Sequence, residues 1–203
     1  MTALSRQTVV LASTSPTRRT MLENAGVNVV AVAPRVDEDE IKASMTAEGT
    51  SGEALAEVLA ERKALYVSRQ RPQDLVIGAD QILDCDGVIY SKPADLAAAK
   101  DQLLALKGKT HKLISCVCVV RGEQRLWHHL DHALLAMRDF STLFLDAYLD
   151  AVGQTALDGP GSYRIEGYGA QLFSRVTGDH FTILGLPLLP LLDYLRIQGV
   201  LTS

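Results

Sequence analysis

A short strand that runs directly into a helix, between Val9 and Arg19, constrains the fold of this chain more than any other stretch of its sequence. The apolar run at its start is typical of a buried strand. Ser15 followed by Pro16 is a typical N-cap and first residue of a helix, and Gly26 would end that helix. Strand-like and helix-like runs alternate along the rest of the chain, so the sequence predicts an α/β fold.

The corner between this strand and this helix is also a candidate phosphate site. The first backbone N–H groups of a helix have no partner inside the helix and point into the space in front of it. The hydroxyl groups of Ser13, Thr14 and Ser15 and the guanidinium groups of Arg18 and Arg19 would add donors and positive charge. The alternative is an ordinary turn with two surface arginines, and the local sequence leaves both open.

The length and charge of the chain argue against several classes of protein. Its 203 residues, 47% of them hydrophobic, suffice for one large domain or one domain with two lobes. The net charge of -4 argues against a general binder of nucleic acids or anionic membranes, because no basic surplus is present. The longest apolar run, Leu184–Leu192, is too short to span a membrane and contains two prolines.

The cysteines and histidines do not form a recognisable metal motif. The three cysteines include Cys116 and Cys118 in one strand-like run, which predicts reduced core thiols in a cytosolic protein. The first residues do not have the pattern of a signal peptide. His128, His129 and His132 are close in sequence, but no acidic or cysteine partner is placed beside them, so zinc is not favoured.

Two charged features in the first half of the chain have both a structural and a functional interpretation. The acidic cluster Asp37–Glu40 is typical of a solvated loop or of the first turn of a helix, although one carboxylate could ligate Mg²⁺. Lys63 lies at the border of the apolar face of a helix that begins with the capping box Thr50–Glu53. A lysine at such a border usually keeps its ammonium group in water, unless the border faces a cleft.

Asp80 is an unusual residue in its context. It lies within the apolar strand Leu75–Leu83, where aspartate is rare and seldom buried without a partner. A general base or a metal ligand on a rigid strand would explain it, and so would a carboxylate held by backbone N–H groups or a basic partner. We favour the functional interpretation.

A hairpin is predicted to follow this strand, because Asp86-Gly87 is a typical two-residue turn. The cross-strand pairs that follow from this turn are Asp84–Ile89, Leu83–Tyr90 and Gln81–Lys92. In that register the ammonium group of Lys92 would lie one residue from Asp80 and would favour its charged form.

The second half of the chain contains a long glycine-rich segment, Gly153–Gly169, of a length typical of functional loops. Within it Tyr163 could stack on a nucleotide base and Glu166 could contact the edge of that base, although a solvated surface loop is the alternative. His111, alone before a strand, is more typical of a structural histidine. Strands are predicted over Val27–Ala33, Lys112–Arg121, Ala170–Val176 and Phe181–Leu184, and helices over Asp95–Leu106, Thr142–Val152 and the residues after Pro187. In the last helix, the leucines expected to point inward are Leu188, Leu189, Leu191, Leu192 and Leu195.

A series of short motifs, taken in order, resembles the Maf-type nucleoside triphosphate pyrophosphatases. The motifs are LASTSPTRR, VDE, RKA, IGADQ, SKP, GSYRIEGYGAQLF, and GD followed by GLPL, between Val9 and Leu195. The resemblance implies an α/β fold with an elongated mixed β-sheet, flanking helices and two lobes around a central cleft, as in inosine-triphosphatase-like enzymes. It also implies a single domain over residues 1–203, a homodimer, and a divalent cation (Mg²⁺ or Mn²⁺) as cofactor.

The resemblance assigns roles to residues that the sequence patterns had singled out. Those implied to bind the triphosphate are Ser13, Ser15, Arg18, Lys63 and Lys92. Asp80 would activate the attacking water and contact the metal, and Glu38 would be a second metal contact.

Three further positions, Thr17, Gln81 and Glu166, match those that tune the choice of base in the family. Gln at the second and Glu at the third are usual in the branch that acts on 7-methyl-GTP, whereas the thymidine and uridine triphosphate branch usually has Arg, Thr and Gln. A carboxylate suits guanine, whose N1–H and N2–H₂ groups are donors, and suits the positive charge of the methylated ring. The chain departs from the family in having Thr17 in place of a larger residue and Ser91 in place of a glycine.

The sequence therefore predicts a cytoplasmic pyrophosphatase that converts a modified or non-standard nucleotide, best represented by 7-methyl-GTP, into the monophosphate and pyrophosphate. An enzyme of the dTTP/UTP type in the same family is one alternative. Another, from a different class, is a nucleotide-sensing regulator of cell division with little catalysis. A nucleoside triphosphate is the expected partner, and nucleic acids and membranes are not.

Overall fold

The computed structural model describes residue 5 and residues 7–202, which form two compact units, each assembled from separate parts of the chain. Unit 1 consists of the described residues up to Gln81, of Ile114–Asp131, and of the described residues from Asp179 onward. Unit 2 consists of Ile82–Leu113 and His132–Gly178.

The described residues contain seven strands, seven α-helices and two short 3₁₀ helices. The strands are β1 (Val9–Ala12), β2 (Val29–Val32), β3 (Val76–Cys85), β4 (Val88–Tyr90), β5 (Thr110–Arg121), β6 (Gln124–Met137) and β7 (Phe173–Thr177). The α-helices are α1 (Pro16–Asn24), α2 (Glu38–Ala47), α3 (Gly52–Gln70), α4 (Leu96–Leu106), α5 (Thr142–Val152), α6 (His180–Ile183) and α7 (Leu188–Ile197). The 3₁₀ helices cover Gly153–Leu157 and Tyr168–Leu172.

The strands form one mixed sheet in the order β2-β1-β3-β5-β6-β7, with β4 paired to β3. β1 pairs in parallel with both β2 and β3, whereas β3–β4 and β6–β7 are antiparallel. Parallel neighbours joined through helices are typical of α/β proteins. The predicted α/β fold with a mixed sheet and flanking helices is confirmed.

The core of unit 1 forms because β1 and β3 are apolar on both faces. All four residues of β1 are buried, as expected for a strand with a parallel neighbour on each side. An apolar cluster joins these strands to α1 and α7, and its buried members include Leu11, Leu22, Ile77, Leu191 and Leu195.

Gly78 sets how closely α3 lies against β3. A Cβ atom at this position would be 2.1 Å from the carbonyl oxygen of Ala60 and 2.8 Å from the Cβ of Ala64, so no other residue fits without moving the helix. This close approach places Lys63, on the same turn of α3, beside the residues that follow Gly78 in the strand.

In unit 2, side-chain hydrogen bonds anchor the glycine-rich segment at two points. His111, 1% exposed at the start of β5, has its Nε2 atom 2.6 Å from the hydroxyl oxygen of Tyr163. Burial lowers the pKa of His111 to about 4, so the ring is neutral at physiological pH. The hydroxyl group of Tyr148 on α5 donates to the carbonyl oxygen of Ser162 at 3.0 Å. His111 is therefore structural, as its sequence context indicated.

The region before the last helix differs from the sequence prediction. Phe181–Leu184 was expected as a strand, but the residues fold into the short helix α6, which Asp179 caps by accepting from the backbone N–H groups of Phe181 and Thr182. β7 begins at Phe173 rather than Ala170, because the preceding residues form a 3₁₀ helix. A four-residue segment with three apolar residues fits a strand or a helix equally well, and here the cap at Asp179 determines the helix.

Several helix and turn boundaries match local sequence signals. Ser15 and Ser141 cap α1 and α5 as predicted. Asp95, predicted as the first residue of a helix, is the N-cap of α4. α3 begins one residue later than its capping box suggests, with Ser51 as the N-cap instead of Thr50. In α7, Leu189 is 54% exposed, so its predicted inward position is wrong.

The predicted hairpin register is confirmed for Leu83–Tyr90 and Asp84–Ile89. β4 ends at Tyr90, so Lys92 lies beyond the paired residues and the predicted pair with Gln81 is not part of the ladder.

The three cysteines are free and buried, as predicted. Burial raises the pKa of Cys116 to about 12, which leaves this thiol protonated and unreactive at neutral pH. None of the helices in the described part of the chain is both long and apolar enough to cross a membrane.

Candidate functional site

A buried ion pair between Lys63 and Asp80 forms the middle of the candidate site in unit 1. Lys63 on α3 is 6% exposed and Asp80 on β3 is 4% exposed. The Nζ atom of Lys63 lies 2.5 Å from Oδ1 of Asp80. The sequence left open whether Lys63 extends into water, and the structure excludes this, because burying either charge is costly unless the two are paired.

A second carboxylate contacts the same ammonium group. Glu38 is the first residue of α2, which Asp37 caps, and its Oε1 atom lies 2.8 Å from Nζ of Lys63. Burial acts to raise the pKa of Glu38, but the ammonium group of Lys63, with smaller effects of Lys42 and Arg18, outweighs it and lowers the pKa below its usual value. Glu38 is therefore ionised at neutral pH, and Lys63 lies between two carboxylates.

Arg18 on α1 is fixed beside this group by two backbone carbonyls. Its Nε atom donates to Gly185 at 2.8 Å, and its Nη1 atom donates to Ala79 at 2.9 Å. Burial lowers the pKa of Arg18, and the nearby carboxylates of Asp80 and Glu38 act in the opposite direction. Arginine stays charged at neutral pH even so. We call Lys63, Asp80, Glu38 and Arg18 the charged centre.

Ser13 and Ser15 lie in the corner between β1 and α1, and their hydroxyl groups hold the backbone near Arg18 in place. The N–H group of Ser15 donates to Oγ of Ser13 at 3.1 Å, and the N–H group of Arg18 donates to Oγ of Ser15 at 3.3 Å. A hydroxyl group that accepts one bond still has a proton to donate, so both can contact an anion. Thr17 follows in the first turn of α1 and is partly exposed.

Gln81 connects β3 to the segment around α6. Its Nε2 atom donates to Oγ of Ser115 at 3.0 Å and to the carbonyl oxygens of Thr182 at 3.1 Å and Ile183 at 3.0 Å. The amide nitrogen is thus directed at protein acceptors, which leaves the amide oxygen as the polar atom that can meet a ligand.

Gly185 and Thr182 also belong to this arrangement, which the sequence analysis did not predict. Gly185 has φ +92, and a Cβ there would be 3.3 Å from Nη2 of Arg18, so a glycine leaves room for the guanidinium group. Thr182 supplies an acceptor to Gln81 and donates its own hydroxyl proton to Asp131 at 2.7 Å. The glycine-proline pattern after α6 was the available signal, and it was interpreted only as the start of a helix.

The two remaining predicted residues, Lys92 and Glu166, belong to unit 2. Lys92 is exposed and follows β4; the preceding carbonyl, of Ser91, accepts from Nε2 of Gln102 at 2.6 Å. Oε1 of Gln102 in turn accepts from the N–H group of Gly161 at 3.1 Å. Gln102 thus ties both segments to α4, a role that nothing in its helical context indicated.

Glu166 lies in the glycine-rich segment, where it accepts from Arg164. Tyr163, which was expected to stack on a base, instead bonds to His111 through its hydroxyl group and packs edge-on against Phe173. The ring of Tyr163 is therefore part-buried and makes these contacts inside unit 2.

The donor set of the charged centre fits a divalent cation that shares its ligands with substrate. Oδ2 of Asp80 is buried and has no hydrogen-bond partner among the described residues. Glu38 supplies a second ionised carboxylate. In the described ranges no group of three or more His, Cys, Asp and Glu side chains is arranged to hold a metal by itself. Mg²⁺ commonly takes one or two carboxylates and completes its shell with phosphate oxygens and water.

The sequence of the chain matches one known protein family. The profile described as Maf-like protein matches residues 8–198. The chain belongs to the Maf-like family.

Two relatives from this family match nearly the whole chain. A protein of Paramagnetospirillum magneticum named nucleoside triphosphate pyrophosphatase is 53% identical over 95% of this chain and 99% of its own length. A protein of Rhizobium johnstonii named 7-methyl-GTP pyrophosphatase is 46% identical over 95% of this chain and 97% of its own length.

Among solved structures, a nucleoside-triphosphatase (dITP/XTP pyrophosphatase) from Mycobacterium abscessus is similar over 95% of this chain and 94% of its own, with 15% identity and a TM-score of 0.42. A similarity of this size adds nothing to the family assignment, which depends on the sequence matches.

Proposed function

We propose that the protein hydrolyses the bond between the α and β phosphates of a nucleoside triphosphate, with 7-methyl-GTP as the preferred substrate. The chain is a nucleoside triphosphate pyrophosphatase, a hydrolase of phosphoric anhydrides, like its Maf-like relatives. The observation that carries the proposal is the charged centre, in which a buried aspartate on a rigid strand has one carboxylate oxygen paired and the other without a partner among the described residues.

Asp80 is the proposed general base. Lys63 fixes the orientation of its carboxylate through Oδ1, so Oδ2 is the atom that accepts a proton from the attacking water. The water oxygen then forms a bond to the α phosphorus, and the bond from that phosphorus to the bridging oxygen breaks. The products are a nucleoside monophosphate and pyrophosphate.

Cationic and hydroxyl groups stabilise the charge on the triphosphate. Arg18 and Lys63 are held at fixed positions by protein acceptors, so they need little rearrangement as negative charge grows on the leaving pyrophosphate. The hydroxyl groups of Ser13 and Ser15 can each donate one further bond. Lys92 is assigned to the same task by its SKP motif.

Asp80 and Glu38 are the residues that would hold a divalent cation, Mg²⁺ or Mn²⁺. When bound, such an ion supplies Lewis acidity to the phosphate oxygens. The two carboxylates would orient the ion, and in its absence the ammonium group of Lys63 offsets part of their negative charge.

The choice of 7-methyl-GTP is supported by sequence pattern and by the relatives. Proteins from Rhizobium johnstonii and Mesorhizobium japonicum that are 46% and 47% identical carry the name 7-methyl-GTP pyrophosphatase. Gln81 and Glu166 match the pattern usual in that branch. A carboxylate accepts bonds from guanine and attracts a positively charged ring.

The proposal is tested by measuring pyrophosphate release from 7-methyl-GTP, GTP, dTTP and UTP with Mg²⁺ and with Mn²⁺. We expect the highest kcat/KM for 7-methyl-GTP, with the monophosphate and pyrophosphate in equal amounts. A preference for dTTP or UTP would instead support the other branch. Nucleotide binding without release from any substrate would support a sensing role, and release of orthophosphate would contradict the proposed bond.

A further inference from the structure

Unit 2 contains a cavity, and apart from Glu166 its lining residues have no role in the proposed reaction. Its volume is about 370 Å³, which lies in the range typical of small-molecule sites. It opens between α5 and the end of the glycine-rich segment, and all of its lining residues belong to unit 2. The lining combines small and aromatic residues with Thr155, Arg164 and Glu166, so it is an apolar site with a few polar groups.

Within this unit 2 cavity, the guanidinium group of Arg164 is bonded to the carboxylate of Glu166. Nε and Nη2 of Arg164 lie 3.1 Å and 3.0 Å from Oε1 of Glu166, so both bonds end on the same carboxylate oxygen. Nη1 of Arg164 is 3.8 Å from Oδ2 of Asp158. Asp158 is not part of the lining, so the charges of the two charged lining residues, Arg164 and Glu166, cancel. Oε2 of Glu166 accepts no hydrogen bond from the described residues.

Tyr168 is the aromatic side chain of this lining that is open to solvent. It is 61% exposed, whereas Tyr148, the other tyrosine of the lining, is 5% exposed and bonds to Ser162. An exposed tyrosine ring at the mouth of a cavity offers a face for a planar ligand, and the attraction is greater when that ligand is positively charged.

The backbone between Arg164 and Tyr168 is compact, so these groups have defined positions. The N–H group of Gly167 donates to the carbonyl oxygen of Arg164 at 3.2 Å. A Cβ atom at Gly169 would be 2.4 Å from that same oxygen, which shows how closely the chain turns back on itself. A rigid turn with a fixed acceptor is what selective recognition requires.

We infer that the unit 2 cavity binds the base of the substrate, with Tyr168 stacking on a positively charged purine and Arg164 positioning Glu166 to accept from its edge. This inference rests on the proposed function, and it adds two residues to the choice of base. The exposed ring of Tyr168 and the carboxylate of Glu166 together favour 7-methylguanine over neutral guanine, because both attract the positive charge that only the methylated ring carries.

The test uses the full-length protein and two readouts, KM for 7-methyl-GTP and the calorimetric Kd of the product 7-methyl-GMP. Tyr168→Ala is expected to weaken both by about 10-fold with little change in kcat, which is the usual size of one lost stacking contact. Tyr168→Phe, which keeps the ring, is expected to behave like the wild type. Unchanged KM and Kd in Tyr168→Ala would overturn the inference.

The role of Arg164 is tested by the preference of the protein for 7-methyl-GMP over GMP, and not by loss of activity. We expect Arg164→Gln to reduce the ratio of the Kd for GMP to the Kd for 7-methyl-GMP, and Arg164→Lys to restore part of it. Arg175→Gln, an exposed arginine on β7, is the matched control and is expected to leave the ratio unchanged. An equal effect of the two glutamine variants would overturn the assignment.

The two proposals fail in different ways. If the wild type releases no pyrophosphate but binds 7-methyl-GMP through Tyr168, the reaction is wrong and the cavity assignment stands. If it hydrolyses a nucleotide but Tyr168→Ala changes neither readout, the reaction stands and the cavity assignment is wrong.

Discussion

The charged centre of unit 1 and the unit 2 cavity hold their functional side chains in opposite ways. Lys63 and Asp80 are 6% and 4% exposed, lie on a long helix and a central strand, and are paired with each other. Tyr168 is 61% exposed and lies at the end of a glycine-rich segment, next to an exposed ion pair.

This difference indicates which part of the molecule tolerates change. Removing one partner of a buried pair leaves an uncompensated charge and costs several kcal/mol, typically about 3–5 kcal/mol. An exposed pair such as Arg164–Glu166 contributes at most about 1 kcal/mol to stability. We therefore expect substitutions in unit 1 to affect turnover and folding, and substitutions at the cavity to affect mainly the choice of nucleotide.

The largest effect is expected for Asp80→Asn. An amide of the same shape cannot accept the proton of the attacking water, so kcat should fall by about 10³-fold while nucleotide affinity stays roughly unchanged. Steady-state pyrophosphate release and calorimetry would measure the two quantities. Asp84→Asn, on the same strand, is the control and should keep full turnover. Wild-type turnover in Asp80→Asn would refute the assignment of the base.

Gly78→Ala tests whether the close contact of α3 with β3 is what holds the charged centre together. The added methyl group would meet the backbone of Ala60, and overpacking of this kind costs about 3 kcal/mol. Chemical denaturation should show that loss in the free energy of unfolding. Gly159→Ala is the matched control, because a Cβ there has nothing within 4 Å. Equal stability of the two variants would contradict the packing argument.

The stability of the protein should fall in mild acid because of His111. Its pKa is about 4 in the folded protein and 6.5 in the unfolded chain, so the unfolded chain binds the proton first as the pH falls. The contribution is complete above pH 6.5, and the loss between pH 7.5 and pH 5 is about 2 kcal/mol.

Denaturation at both pH values, in the wild type and in His111→Gln, would isolate this contribution. The variant should lose less stability than the wild type over this interval. Arg175→Gln, at an exposed position on β7, provides the control, since it leaves His111 in place and should keep the wild-type dependence. Identical pH dependence in all three proteins would show that His111 titrates normally.

The smallest effect is expected for Glu166→Gln, which keeps the shape of the side chain and removes its charge. The ratio of kcat/KM for 7-methyl-GTP to that for dTTP should fall by about 10-fold, equivalent to about 1.4 kcal/mol. Stability should be almost unchanged, because the ion pair with Arg164 is exposed. An unchanged ratio would remove Glu166 from the choice of base.

The features that the sequence predicted well are those that depend on neighbouring residues. Ser15 followed by Pro16, and the turn at Asp86-Gly87, are local signals, and the structure has the helix start and the hairpin pairs where they indicate. The strand predicted at Phe181–Leu184 is wrong because a four-residue segment with three apolar residues has no decisive period, and the cap at Asp179 determines the helix.

For features that depend on packing, the sequence indicates individual residues but not which of them lie together. Lys63 and Asp80 are both unusual in their sequence context, but their pairing depends on the close approach of α3 to β3 that Gly78 allows. In the glycine-rich segment, composition does not indicate that Tyr168 is the more exposed tyrosine, whereas Tyr163 is part-buried and bonded to His111.

The bond from Arg18 to the carbonyl oxygen of Gly185 joins residues that are 167 positions apart. A chain still being made on the ribosome has its first strand and helix long before it has the acceptor for that guanidinium group. The acceptor that Gly185 supplies is therefore synthesised 167 residues after the arginine that it fixes. A nascent chain that stops short of Gly185 would carry nearly every predicted substrate contact and still lack one of the two anchors of its arginine.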